Sequence, residues 1–410
     1  MLHRLLRRIV REGTLVVRDP SGERRYGEGS PEVAIRITDR AAAWAICLDP
    51  ELKLGEMYMD GRLVIEKGDI VQLLDLLVGN VARHADPAGA APWLQKLRRV
   101  FRLFMQFNPA FRARAHVAHH YDLSARLYDL FLDHSRQYSC AYFAHDGDSL
   151  EAAQAAKKKH IAAKLKLDRP GLTVLDIGCG WGGLAMDLAR EHDAEVLGIT
   201  LSTEQIQQAR QRAREGGLSD RCRFALTDYR QAEGRFDRIV SVGMFEHVGL
   251  RYYRQFFAKA RALLPEDGVM LLHTIGRADG PGVTNAWIRK YIFPGGYAPA
   301  LSEIVPVIEK SGLIVTDVEV LRLHYARTLA AWQKRFQANR AEIARLYDER
   351  FCRMWEFYLA GAEMAFRHEK QVVYQIQIAK RVDVLPLTRD YMTEPQGDAM
   401  PQRQGVRVAA

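Results

Sequence analysis

The sequence is poor in cysteine and contains no long hydrophobic run. Its 410 residues include five scattered cysteines and no CxxC pair, which argues against a zinc finger or a disulfide scaffold and favours a reducing compartment. No stretch approaches eighteen consecutive apolar residues, so we predict no transmembrane helix. The N-terminus also lacks the apolar core and the cleavage site of a signal peptide. These absences together predict a cytoplasmic protein.

The composition is that of an ordinary globular protein, with 48% hydrophobic and 27% charged residues, and the length suggests two or three domains. The net charge of +9 is concentrated in two stretches without any acid, residues 1–11 and 96–114. Such basic blocks indicate an anionic partner, either nucleic acid or an acidic membrane surface. Signatures of nucleic-acid-binding folds are absent and the positive charge is local, so we predict a membrane surface and no nucleic acid.

The chain divides into four regions by pattern. Residues 1–82 predict a small α+β domain, with strands at TLVVRD and AIRITD, a turn between them and a helix at GDIVQLLDLLVG. Residues 83–114 predict a basic amphipathic linker or helix, and residues 388–410 a disordered tail. In residues 115–387, short apolar strands alternate with helical stretches, which predicts a parallel α/β sheet.

The first helix has leucines at helical spacing and arginines on the opposite face. Two interpretations stay open: the helix lies on anionic lipid, or it packs its leucines on the domain beneath it.

The strongest local motif is a glycine-rich loop that follows an apolar strand and opens a helix. It contains Asp176, Gly178, Gly180 and Gly182 in the pattern D-x-G-x-G-x-G. Glycines allow a tight turn after the strand and a close approach of the backbone to a ligand. This pattern is typical of the nucleoside-binding loop of S-adenosylmethionine (SAM) methyltransferases. The segment also satisfies G-x-G-x-x-G, so a nicotinamide dinucleotide is a competing ligand.

The next two strands favour SAM over the dinucleotide. A nicotinamide enzyme would carry an acid at the end of the second strand for the ribose hydroxyls, but this strand ends in Thr200 and Leu201, with Gln205 in the following turn. After the third strand come Asp228 and Tyr229. An acid there can accept a hydrogen bond from the adenine amino group while an aromatic ring packs nearby.

Two further polar side chains are predicted at the same edge of the sheet. Glu246 follows the fourth strand and His273 ends the fifth, and open α/β sheets bind ligands beyond the carboxyl ends of their strands. A carboxylate and an imidazole can position or relay a proton. Either residue could equally be a satisfied structural group.

Nine segments in order resemble the cyclopropane-fatty-acyl-phospholipid synthase family. They span roughly residues 115–380 and read HHYDLSARLYDLFLD, QYSCAYF, VLDIGCGWGG, GITLSTEQ, FDRIVSVGMFEHVG, LLHTIG, WIRKYIFPGG, HYARTLAAW and ERFCRMWEFYL. The N-terminal unit also resembles the phospholipid enzymes of this family more than its shorter mycolic-acid relatives. The resemblance implies a Rossmann-like class I SAM methyltransferase sheet with a helical cap, plus a small N-terminal α+β domain.

The resemblance also implies a reaction. Members of the family transfer the SAM methyl group to a cis double bond of a phospholipid acyl chain, and a bound bicarbonate removes a proton so that a cyclopropane closes. The residues that match its catalytic and bicarbonate-holding positions are Cys140, Glu246, His273, Ile275 and Tyr325. The residues assigned to SAM are Tyr121, Tyr138, Ser139, Asp176, Gly178, Gly180, Gly182, Thr200, Leu201, Gln205, Asp228 and Tyr229.

Several expectations accompany this reading. Ala362 stands where some relatives carry a cysteine in a late helix, so a covalent cysteine mechanism is not supported, and no metal is expected. We expect peripheral attachment to an anionic membrane, an apolar tunnel roofed by residues 277–300, and a homodimer by resemblance. The alternative activity is methylation without ring closure, giving a branched acyl chain, or methylation of a small amine.

Overall fold

The computed structural model describes residues 2–84 and 123–393. The predicted linker therefore lies almost entirely outside the described residues, as do Tyr121 and residues 394–410. Of the described helices, none is long and apolar enough to cross a membrane.

The N-terminal unit is a four-stranded sheet covered by helices. Its elements are α1 Leu2–Ile9, β1 Glu12–Asp19, β2 Gly22–Tyr26, β3 Glu28–Ile37, α2 Arg40–Leu48, α3 Pro50–Met59, β4 Leu63–Lys67 and α4 Ile70–His84. The strand order is β2-β1-β3-β4, with β1 parallel to β3 and the two outer strands antiparallel to their neighbours. The sequence analysis missed β2, which lies where a turn was predicted, and β4. Both are short, and neither shows a clear alternation of buried and exposed residues.

The leucines of α1 are buried in the core of this unit. Leu2 and Leu6 are 5% and 7% exposed and pack with Leu73 and Leu76 of α4 among others. Burial of apolar surface against the unit therefore accounts for the apolar side of the helix. Of the two interpretations of this helix, the structure shows the second, packing on the domain beneath, and leaves the arginines exposed.

The second domain is built on a seven-stranded sheet. Its strands are β5 Thr173–Ile177, β6 Glu195–Thr200, β7 Cys222–Leu226, β8 Arg238–Val242, β9 Val269–Arg277, β10 Ile314–Leu321 and β11 Gln371–Ala379. The order is β10-β11-β9-β8-β5-β6-β7. Its helices are α5 Ala125–Phe131, α6 Leu150–Lys164, α7 Gly183–Glu191, α8 Thr203–Glu215, α9 Tyr253–Leu263, α10 Ala286–Tyr291, α11 Leu301–Lys310, α12 His324–Ala338, α13 Arg340–Leu346 and α14 Glu349–His368.

The expectation of a purely parallel sheet was wrong in one strand. β11 runs antiparallel to both β9 and β10, whereas β5 to β9 are parallel to their neighbours. The sequence analysis did not identify β11. Three helices, α12 to α14, separate β11 from β10 in the sequence, so no local pattern indicates that β11 enters the sheet between β9 and β10.

The helical cap is formed by α5 and α12 to α14, which share one aromatic-rich core. The long helix α14 also joins the two parts of the chain. Its Ala360 and Met364 are buried in the N-terminal core, while Trp355 and Leu359 belong to the core of the cap. The N-terminal unit is therefore packed directly on the catalytic domain, through α14 and also through α3, which forms an ion pair with α10.

Residues 388–393 were predicted to belong to a disordered tail, but the structure shows that they are ordered. Residues 388–393 include a short 3-10 helix, Asp390–Met392. It is held by a hydrogen bond from Gln377 Nε2 to the Tyr391 hydroxyl at 2.8 Å and by an ion pair between Arg389 and Asp317. These contacts with buried residues of β10 and β11 fix a segment whose composition alone suggested disorder.

Candidate active site

The loop between β5 and α7 needs its glycines for conformation and for space. Gly178 has φ +87° and Gly182 has φ +77°, a backbone region that favours glycine. A Cβ on Gly178 would lie 2.7 Å from the Cβ of Met244, and one on Gly182 would lie 2.6 Å from the ring of Phe224. The motif is therefore a turn closely packed on the neighbouring strands.

A pocket opens above this loop at the carboxyl ends of the parallel strands. Ten of the twelve residues that the sequence assigned to SAM line it: Tyr138, Ser139, Asp176, Gly178, Gly180, Thr200, Leu201, Gln205, Asp228 and Tyr229. Gly182 is not in the pocket wall, since it begins α7 and packs on Phe224. Tyr121 lies outside the described residues.

Asp176 is buried at the base of this pocket, and its Oδ2 atom has no hydrogen-bond partner among the described residues. Burial raises the pKa of its carboxyl group to about 7. A buried oxygen without a partner costs stability, so Asp176 is suited to receive a donor from a bound ligand.

The segment that carries Tyr138 and Ser139 is held from below by a buried lysine. Lys157 of α6 donates to Gln137 Oε1 at 2.6 Å and to Ser139 Oγ at 2.9 Å. Burial lowers the pKa of Lys157 to about 7. The sequence analysis missed Lys157, since a lysine in a basic helix such as AAKKKH looks solvent-exposed.

Asp228, the predicted acceptor for the adenine amino group, is paired with a neighbour. Arg230 donates to both carboxylate oxygens, at 2.8 and 2.9 Å, and its guanidinium lies over the rings of Tyr229 and Tyr252. Arg230 lines the pocket, as does Arg136, and neither was identified from the sequence. A nucleoside that uses Asp228 must share this carboxylate with Arg230.

Glu246 lies in a short 3-10 helix between the pocket-lining residues Met244 and His247. Its Oε1 accepts a hydrogen bond from the backbone amide of Ile275 at 2.6 Å, while its buried Oε2 has no partner among the described residues. Burial raises the pKa of this carboxyl group to about 7, against the lowering effect of the Ile275 amide. The backbone amide of Ile275, a residue that the resemblance assigned to bicarbonate, is thus occupied by Glu246.

His273 is not at the end of its strand, because β9 continues to Arg277. It is register-paired with Val242, the last residue of β8, and therefore still lies at the level where β8 ends. The ring is buried, and its Nδ1 lies 3.1 Å from Nε2 of Gln375. Burial and nearby positive charges hold the pKa of His273 well below its usual range, so the ring is neutral.

Tyr325 and Cys140 are buried in the aromatic core of the cap. The rings of Tyr138 and Tyr325 both contact Trp332, at centroid distances of 5.2 and 5.8 Å, and the Tyr138 hydroxyl lies 2.8 Å from that of Tyr358. Burial raises the pKa of the Cys140 thiol, which keeps it protonated and unsuited to act as a nucleophile. The wall beyond Tyr138 is therefore formed by buried aromatic rings.

Segment 277–300, the expected roof of an acyl tunnel, packs beside Glu246. The amide of Tyr297 donates to the Glu246 carbonyl at 2.9 Å. The rings of Phe293 and His247 also pack together, with 5.9 Å between their centroids. Trp287 and Ile292 are buried in the core of the cap. The apolar tunnel that this segment was expected to roof stays a prediction.

Comparison with known proteins identifies the family. The family model described as mycolic acid cyclopropane synthetase matches residues 110–376, well over half of the chain. The cyclopropane-fatty-acyl-phospholipid synthase of Escherichia coli K12 is 39% identical over 357 residues, 87% of this chain and 90% of that protein. A probable fatty acid methyltransferase of Pseudomonas putida is 37% identical over 383 residues, 88% and 92% of the two chains.

The solved structures agree. The mycolic acid cyclopropane synthase CmaA1, in complex with SAH and CTAB, superposes with a TM-score of 0.61 at 37% identity, covering 67% of this chain and 99% of that one. The fold is therefore the predicted class I SAM methyltransferase fold, with an N-terminal unit in addition. This chain is a methyltransferase and belongs to the mycolic acid cyclopropane synthetase family.

Proposed function

We propose that this enzyme transfers the methyl group of SAM to the cis double bond of an unsaturated acyl chain in a membrane phospholipid, forming a cyclopropane. The observation that carries the proposal is the Glu246 carboxylate beside the SAM pocket, with one oxygen fixed by Ile275 and the other buried without a partner among the described residues. The E. coli relative whose name states this activity also matches most of the chain.

An alkene is a weak nucleophile, so the enzyme must align it with the methyl–sulfonium bond and exclude water, which would trap the carbocation as an alcohol. The aromatic cluster of Tyr138, Tyr325, Trp332 and Tyr358 supplies ring faces that stabilise a cation without attacking it. The pocket meets this cluster at Tyr138, which lines the pocket wall.

Bicarbonate, when bound, would supply the base that takes a proton from the added methyl group. Glu246, His273 and Tyr325 are the side chains that would hold it. The fit is chemically consistent, because the unpartnered Oε2 of Glu246 can accept the proton of the bicarbonate hydroxyl and the neutral imidazole of His273 can donate to the anion. Cys140 would contribute through its backbone, since its thiol stays protonated.

We further propose that the enzyme works at an anionic membrane surface. The exposed arginines of α1, Arg4, Arg7 and Arg8, support this attachment, because each basic residue near such a surface contributes about 1 kcal/mol. The leucines of the same helix are buried in the N-terminal unit and do not take part in it.

The second candidate is methylation of the acyl chain without ring closure. It is favoured by the P. putida relative, whose name is that of a fatty acid methyltransferase and whose identity and coverage are close to those of the E. coli synthase. The two reactions would differ only in the fate of the carbocation.

The test is to incubate the purified full-length chain with SAM and vesicles of a cis-monounsaturated phospholipid, with and without bicarbonate, and to analyse the released acyl chains by mass spectrometry. The proposal expects chains heavier by one methylene that resist hydrogenation, formed more slowly without bicarbonate. Chains that are heavier but take up hydrogen indicate branching. No change in mass, with SAM still bound, overturns both candidates.

Variants of Glu246 complete the test. Glu246→Gln should lose most turnover and keep its affinity for SAM, whereas Glu215→Gln, at an exposed glutamate of α8, should behave as the parent enzyme. Normal turnover of Glu246→Gln would exclude the role proposed for this carboxylate.

A further inference from the structure

Three polar side chains form a row across the antiparallel part of the sheet. Gln375 of β11 is register-paired with His273 of β9 on one side and with Glu319 of β10 on the other. Residues directly opposite one another in adjacent strands project to the same face. The buried imidazole of the active site is therefore joined to a buried amide, and the amide adjoins a carboxylate.

A lysine from the end of α6 enters this row between the amide and the carboxylate. Lys164 is 1% exposed, donates to Gln375 Oε1 at 2.8 Å and forms an ion pair with Glu319. His160 also contacts Glu319, at 2.5 Å. Burial would raise the pKa of Glu319, but hydrogen bonds from these two partners lower it to about 2, so the carboxylate stays charged. Burial also lowers the pKa of Lys164, and the ion pair with Glu319 opposes this effect and favours the ammonium form.

The charge of Lys164 determines which way the Gln375 amide faces. An ammonium group donates hydrogen bonds and accepts none, so the oxygen of the amide must face Lys164. The NH₂ group is then left to face Nδ1 of His273, at 3.1 Å. An amide is usually ambiguous between its two orientations, but here a neighbour that only donates removes the ambiguity.

The orientation of the amide in turn determines the state of the imidazole. An NH₂ group donates, so Nδ1 of His273 must accept and carries no proton. In a neutral imidazole with an accepting Nδ1, the single ring proton resides on Nε2. His273 is 2% exposed and lies near the cations Lys157 and Lys164, which oppose a second proton.

We propose that Lys164 and Gln375 are positioning residues that hold His273 as the Nε2–H tautomer, so that the ring presents a hydrogen-bond donor to the active site. The value of this tautomer rests on the proposed function, because a donor suits an anionic base whereas an accepting Nε2 would repel it. The tautomer itself follows from the hydrogen bonds alone. Nothing in the local sequence around His273 specifies it.

The test uses Gln375→Glu, which keeps the size of the side chain but replaces the donor facing Nδ1 with an acceptor. We expect His273 to change from the Nε2–H form to the Nδ1–H or doubly protonated form. The change is measured by ¹⁵N NMR of the full-length chain with ¹⁵N-labelled histidine, with the His273 signals assigned by their loss in His273→Gln. Turnover should fall about 100-fold, as for loss of one preorganised donor, with the KM for SAM unchanged.

Two further variants keep the proposal testable if Gln375→Glu folds poorly. Lys164→Met removes the donor that orients the amide and should give a mixture of tautomers, whereas Lys164→Arg keeps a donor and should retain the Nε2–H form. Gln377→Glu is the matched control, because it places a carboxylate on the same face of β11 but opposite Leu271 rather than a histidine. It should leave the His273 signals unchanged.

The outcomes separate this inference from the proposed function. If His273 stays in the Nε2–H form in both Gln375→Glu and Lys164→Met, the inference is wrong. If the tautomer changes and methyl transfer continues at the parental rate, the positioning role stands as a structural fact. The role of His273 in the proposed reaction would then be excluded.

Discussion

The backbone amide of Ile275 in β9 donates to Glu246 Oε1 at 2.6 Å, across 29 residues of sequence, and so joins β9 to the 3-10 helix that follows β8. This contact fixes a buried carboxylate whose other oxygen has no partner among the described residues. Such an arrangement lowers the stability of the fold when the carboxylate is charged, and it leaves an acceptor ready in the active site. The effect of this carboxylate on stability should therefore depend on pH, and this can be measured.

Glu246→Gln should stabilise the protein, and more so at pH 8.5 than at pH 5. Burial raises the pKa of Glu246 from 4.5 to about 7 in the folded state, so folding takes up a proton between these values and the parent loses stability as the pH rises through them. Above pH 7 the parent has lost about 3 kcal/mol of its free energy of unfolding, and the glutamine variant avoids this loss. Chemical denaturation at both pH values measures the difference, and an equal effect at both would contradict the assignment.

Gly178→Ala should destabilise the protein more than Gly180→Ala. Both glycines have positive φ, +87° and +55°, and so share a backbone penalty of about 1 kcal/mol. Only at Gly178 would the new Cβ also collide, at 2.7 Å from Met244, whereas nothing lies within 4 Å of a Cβ on Gly180. Thermal unfolding without SAM measures the two, and equal losses would show that Met244 moves aside freely.

Lys157→Met should weaken the binding of SAM about tenfold, or about 1.4 kcal/mol. The lysine holds Gln137 and Ser139 from beneath the pocket, and bonds to a charged donor contribute on this scale. Titration calorimetry compares it with Lys159→Met, at an exposed residue of the same helix. Unchanged affinity in both variants would show that segment 137–139 is held by other contacts.

Replacing Arg4, Arg7 and Arg8 by glutamine should weaken binding to anionic vesicles by about 3 kcal/mol at low salt. Binding of the parent to these vesicles should weaken by a similar amount as the salt concentration is raised. A control with the same change of charge replaces Arg214, Arg223 and Arg254, which are exposed on the catalytic domain. Vesicle co-sedimentation measures both, and equal losses would mean that net charge rather than α1 directs the attachment.

Much of the SAM pocket was predictable because its residues follow consecutive strands of one parallel sheet. The loop from Asp176 to Gly182 and the turns at Thr200 and Asp228 each come directly after an apolar run, and parallel strands bring their carboxyl ends to one edge. The side chains that support these pocket residues were not predicted from the sequence. Lys157 lies in a helix whose sequence suggests that it is exposed to solvent. Arg230 pairs with Asp228 only because a 3-10 turn brings its side chain back to that carboxylate.

The sequence alone determined the local conformations and the family. Local features depend on residues that are close in the chain, so the sequence specifies them directly. They include the positive φ angles of the glycine loop, the capping of α8 by Ser202 and the apolar faces of the strands. Tertiary structure decided which polar groups meet. β11 inserts between β9 and β10 and brings Gln375 beside His273 and Lys164, because a sheet pairs residues by register rather than by distance along the chain.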